Sequence, residues 1–82
     1  MVTDKKAEAA TEEILRWAGA LVRSIDQRAD ASVYYDADSS TYVIRLARAS
    51  RVLLFRLSEA QVRTPGREEE CEEILRKKVS DL

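Results

Sequence analysis

The segment YVIRLARASRVLLFR, residues 42–56, holds Arg45, Arg48, Arg51 and Arg56, four of the fourteen basic residues in an 82-residue chain of net charge −1. Guanidinium groups are planar, permanently charged forks that suit carboxylates and phosphates, so such a cluster points to an acidic protein surface or an anion. The charge is also divided along the chain. Residues 40–63 carry five arginines against one glutamate, while residues 1–39 and 64–82 are net acidic by three and two charges. For any one arginine, the ordinary role is a stem lying over apolar surface with its head in water or paired with Asp or Glu.

Other reactive types are sparse. The chain has no histidine, which removes Ser-His-Asp and Cys-His catalysis and the common zinc sites. Cys71 stands among Glu69, Glu70, Glu72 and Glu73; their charge opposes thiolate formation and favours a buried structural thiol. Asp36, Asp38 and Ser40 in DADSST have the spacing that opens a calcium loop. The glycine at the sixth position is missing, and Ala47 stands where the twelfth-position glutamate belongs, so the stretch reads as a turn. Only Gly19 and Gly66 occur, too few for a glycine-rich phosphate loop. No catalytic residue, metal site or cofactor is expected, and the chain reads as non-enzymatic.

These residues are positioned by a pattern that changes period twice. From about Asp4 to Ala29, Ile14, Trp17, Ala18, Leu21 and Ile25 recur at helical spacing, the mark of an amphipathic helix with Trp17 in the core. Two starts fit: one capped by Thr3 or Asp4, and one near Thr11 that leaves residues 1–10 frayed. Gly19 costs this helix about 1 kcal/mol relative to alanine unless close packing requires it.

After residue 30 the period becomes two, and SVYYD, STYVIRLAR and RVLLFRLS read as three strands. A loop of Arg48 to Arg51 pairs Ala47 with Val52 and places Leu46 opposite Leu53, Ile44 opposite Phe55 and Tyr42 opposite Leu57 on one apolar face. The other face then holds Val43 opposite Arg56 and Arg45 opposite Leu54. A loop of Ala37 to Ser40 sends Val33 and Tyr35 inward and Tyr34 outward; a shift of one residue would exchange the tyrosines. A charge at Val43 should therefore be mild and one at Ile44 severe.

Ser58-Glu59-Ala60-Gln61 matches a capping box that begins a short turn burying Val62. Thr64-Pro65 matches a cap followed by proline at the first helical position, with glutamates 68–70 early and Arg76, Lys77 and Lys78 late, as the helix dipole favours. Cys71, Ile74, Leu75, Val79 and Leu82 form its apolar side. The expected fold class is α+β: one domain over residues 1–82, a helix, a three-stranded antiparallel meander and a helix (α-β-β-β-α), both helices on one sheet face.

The helix–meander–helix order resembles the double-stranded RNA-binding domain in topology. That resemblance would imply phosphate-binding lysines at the start of the second helix, where this chain has TPGREEE, which repels phosphate. Nucleic acid is accordingly disfavoured as a partner, and the arginine-rich hairpin as a nucleic-acid or anion site is the second reading. The first is a small non-catalytic interaction or regulatory module whose outer sheet face, with Tyr34, Arg45, Leu54 and Arg56, meets a protein partner. The expected state is a monomer or weak homodimer, since two such faces meeting would oppose their arginines. One cysteine, no leader-like apolar run and no segment approaching ~20 apolar residues place it in the cytoplasm, away from membranes.

Overall fold

Three strands rich in β-branched, aromatic and leucine residues build the sheet: β1 (Asp30–Asp36), β2 (Thr41–Arg48) and β3 (Arg51–Ser58), ordered β1-β2-β3 and antiparallel throughout. A computed structural model describes residues 1–82. Both expected registers are found: Val33 lies opposite Ile44 and Tyr35 opposite Tyr42 in one hairpin, and Ile44 opposite Phe55 and Tyr42 opposite Leu57 in the other. Tyr34 therefore points outward and is 55% exposed. The second turn is tighter than expected. Arg48 pairs with Arg51, so only Ala49 and Ser50 make the connection, with Ala49 at φ 53°. Two-residue turns with a positive φ match the twist of the strands they join, which lets the ladder run one pair further.

The helices cover one face. Helix α1 (Glu8–Ile25) starts between the two expected positions. Ala10, Ile14, Ala18 and Val22 are its buried stripe, with Trp17 and Leu21 packed on the flank. Ile25, expected in that stripe, is 41% exposed, because Asp26 leaves the helix in extended conformation one residue later. Thr3 and Asp4 do not cap it. Thr3 is buried and its hydroxyl donates to Glu13 Oε1 at 2.6 Å, while the N–H groups of Val2 and Thr3 both donate to the carbonyl of Val62. Residues 2 and 3 thus form a strap across α2 (Glu59–Arg63).

Helix α2 carries the full capping box: Ser58 Oγ accepts from Gln61 N, and Gln61 Oε1 accepts from Ser58 N. Helix α3 (Glu68–Asp81) begins three residues beyond the Thr64-Pro65 signal. Thr64 closes α2 instead, its N–H donating to the carbonyl of Ala60, and Gly66 at φ 89° cannot be part of a right-handed helix. Cys71, Leu75, Val79 and Leu82 meet Tyr42, Ile44, Leu46, Phe55 and Leu57 of the sheet and the α1 stripe in a single core. The protein is α+β, with no helix long and apolar enough to cross a membrane.

One expectation about the uncovered face is corrected. Val43 lies on it yet is only 2% exposed, because it sits in the central strand between Tyr34 and Arg56, its ladder neighbours. Long side chains on the flanking strands close over a central position even where no helix covers the sheet.

Candidate interaction site on the outer sheet face

The two registers together fix the outer face as a grid. One row runs Tyr34, Val43, Arg56; the next Ser32, Arg45, Leu54; the next Asp30, Ala47, Val52. Leu54 and Val52 are 57% and 52% exposed, so a strip of apolar surface stays open along β3. The strand pairs with β2 alone, and none of its other backbone groups bonds to another strand. That free edge is where the face turns into a cleft of about 400 Å3, lined by Tyr34, Val43, Leu54, Phe55, Arg56 and Lys78.

Three of the four residues singled out from the sequence, Tyr34, Leu54 and Arg56, therefore share one cleft. Arg45 does not line it; it is exposed beside Leu54 as that residue's ladder partner. Phe55 and Lys78 were missed. Phe55 belongs to the inner face and is buried, but on an edge strand its rim is reached from the side. Lys78 comes from α3, where its place in the last turn suggested only a dipole partner. A signal for it exists: it adjoins Val79 on the flank of the buried stripe.

Arg56 is held rather than free. Its Nη1 donates to Asp36 Oδ2 at 2.9 Å, Thr41 Oγ1 at 2.9 Å and Ser39 Oγ at 3.2 Å, which ties β3 to the first turn. The same bond from Arg56 holds the Asp36 carboxyl below the usual carboxylate range, with help from Ser39. Asp36 Oδ1 in turn accepts the N–H of Asp38. Both oxygens of the aspartate in the calcium-like motif are thus engaged within the turn, an Asx arrangement that builds the loop. Arg56 lines the cleft with its guanidinium already held by these bonds, which lowers the entropic cost of a further contact.

The hairpin arginines do not form one surface. Arg45 and Arg56 lie on the outer face, whereas the ladder puts Arg48 opposite Arg51 on the other side at the tip, where Arg48 reaches Asp26. A phosphate backbone needs a continuous basic track, and this alternation breaks it. Elsewhere, Cys71 is buried with its thiol donating to the carbonyl of Gln61 at 3.3 Å, and burial, then the charge of Glu70, pushes that thiol up. Such a thiol is a packing element and a poor nucleophile.

The cleft thus combines an apolar floor of Val43, Leu54 and Phe55, a tyrosine able to give or accept a hydrogen bond, and two cations at the rim. No side-chain nucleophile lies within reach of a base among the residues that line it. No family model matches the chain, and neither a curated protein nor a solved structure matches it.

Proposed function

We propose that the protein is a non-catalytic interaction module that docks a partner segment bearing a large apolar side chain flanked by carboxylates. The single observation that supports this most is the composition of the outer-face cleft, an apolar floor under Arg56 and Lys78 beside a strip where Leu54 is more than half exposed. Interfaces with an apolar centre, an aromatic and a charged rim have this make-up, and the rim charge selects the sign of the partner. The open edge of β3 offers backbone groups to an extended segment as well. We take the module to be a monomer or weak homodimer, because a second copy would bring Arg45 and Arg56 of both faces together. We assign it to the cytoplasm, in keeping with a lone buried thiol.

Selection of displayed peptides on the immobilised protein tests the reading. Enriched sequences should carry a large apolar anchor with Asp or Glu on either side, and their binding should fall at least tenfold with Leu54→Lys and with Lys78→Glu. Enrichment of basic peptides, or binding indifferent to Leu54→Lys, would overturn it.

A further inference from the structure

A second concavity lies at the opposite end of the ladder from the Arg56 corner, and it is built from charge. Arg28, Arg48 and Arg51 line an open cleft of about 400 Å3 together with Ala49 and Ser50 of the tight turn. One carboxylate serves them. Asp26 Oδ2 accepts from Arg48 Nη1 at 2.7 Å, and its Oδ1 lies 3.8 Å from Arg28 Nε and accepts the Arg28 N–H at 2.9 Å. Those bonds, the Arg28 N–H first and Arg48 next, hold the Asp26 carboxyl below its ordinary range, so it stays ionised and fixes the Arg48 guanidinium, while the Arg28 side chain extends into solvent beside it. Arg51 has no ion-pair partner, and it stands directly opposite Arg48 in the ladder. Like charges opposed in an antiparallel pair destabilise it. Three guanidinium groups against one carboxylate leave two positive charges unmatched around a cleft that Ala49 and Ser50 of the turn complete.

We infer that this cleft binds a small doubly charged oxyanion of the phosphate class, held by Arg28, Arg48 and Arg51. A dianion matches the unmatched charge and relieves the Arg48–Arg51 opposition, and the tetrahedral oxygens of a phosphoryl group can accept from several guanidinium forks at once. The size favours a single phosphoryl group over a polymer. A nucleic-acid backbone would need further cations in line, and Arg45 and Arg56 lie on the other face. The site is separate from the outer-face cleft and does not depend on what docks there.

Backbone amide shifts of the labelled full chain, followed by NMR, test the assignment with two probes, inorganic phosphate and glycerol phosphate, and with acetate at matched ionic strength as control. Saturable shifts at millimolar concentration are expected, largest at Arg28 and at Ala49 to Arg51, with no saturation by acetate. Equal binding of both probes identifies the phosphoryl group as the recognised unit, and binding of inorganic phosphate alone identifies the free ion. Arg51→Gln should weaken binding roughly tenfold, the loss of one charge-assisted hydrogen bond, while Arg45→Gln leaves it unchanged. Because Arg51→Gln also removes the opposed pair, its thermal midpoint without phosphate should not fall, which separates lost binding from lost folding. Absence of saturation, an equal response to acetate, shifts at Arg45 and Arg56 as large as at Arg51, or unchanged binding by Arg51→Gln would each overturn the site.

Discussion

The hydroxyl of Tyr42 sits at the seam where the sheet meets the N-terminal strap, and its removal gives a measurable test of what holds that seam. Tyr42 is fully buried and donates to Glu59 Oε1. The same oxygen accepts the N–H of Ala7 at 3.2 Å, and Glu59 Oε2 lies 3.7 Å from Arg63. A hydrogen bond to an ionised group is worth about 1.5–3 kcal/mol. The Glu59 side chain is 27% exposed, and water can replace part of what is lost, so the lower end applies. Tyr42→Phe should cost about 1.5 kcal/mol. Glu59→Ala should cost more, roughly 2–3 kcal/mol, because it also strands the buried phenol and the Ala7 N–H. The double variant should recover about 1 kcal/mol of coupling relative to the sum.

The pH dependence has two arms. The Tyr42 hydrogen bond holds the Glu59 carboxyl below its ordinary value of 4.5, so the stabilisation is complete above that value and drains away as pH falls through the lower folded value. Burial, reinforced by Glu59, pushes the Tyr42 phenol above its ordinary 10.0, so on the alkaline side stability is complete below 10 and lost above it. Urea melts of the four proteins at pH 7, and across pH 3 to 5, read the coupling and its acid arm. A coupling below about 0.3 kcal/mol at pH 7, or one that persists unchanged at pH 3, would refute the reasoning.

Three further substitutions separate the sheet faces and probe α1. Ile44→Asp should abolish folding, since Ile44 is fully buried against the helices, whereas Val43→Asp, buried only by its neighbours and opposite Arg56, should cost roughly 1–3 kcal/mol in urea and keep a cooperative transition; equal loss would mean that something covers the outer face. Gly19→Ala should stabilise the protein by about 1 kcal/mol, because an added Cβ meets only the flexible end of Arg23 at 3.4 Å; a lower thermal midpoint would show that the close approach matters.

The sheet was legible because its alternation is one-sided. Pairings of residues 41–48 with 51–58 that put Tyr42, Ile44, Leu46, Phe55 and Leu57 on a common side differ by steps of two, and the short connection selects one of them, as the turn residues did for Tyr34 and Tyr35. Where helix ends depend on distant groups, the pattern was silent. Nothing local reveals that Ala7 is satisfied by Glu59 or that Thr3 turns to Glu13, and the Thr64-Pro65 signal was real chemistry overridden by Gly66. The site divides in the same way. Tyr34, Leu54 and Arg56 follow from register, while Lys78 required knowing how α3 lies against the edge of β3. The Arg56–Asp36 pair was within reach, for chaining the two registers sets those residues diagonally across Thr41 and Val43.

The strap also bears on the order in which the fold assembles. Both hairpins close through turns of two and four residues, so most of the sheet forms from neighbours in sequence at small loop-closure cost. The strap bonds are of another kind. Ala7 and Glu59 are 52 residues apart, and Val2 and Thr3 reach the carbonyl of Val62 in α2, the helix that Ser58 caps. A contact of that separation is entropically affordable once the meander is in place and scarcely before. Residues 2 and 3 are therefore expected to act as a latch that closes after the hairpins and opens ahead of global unfolding, so that hydrogen exchange at Val2 and Thr3 should be faster than at the strand amides.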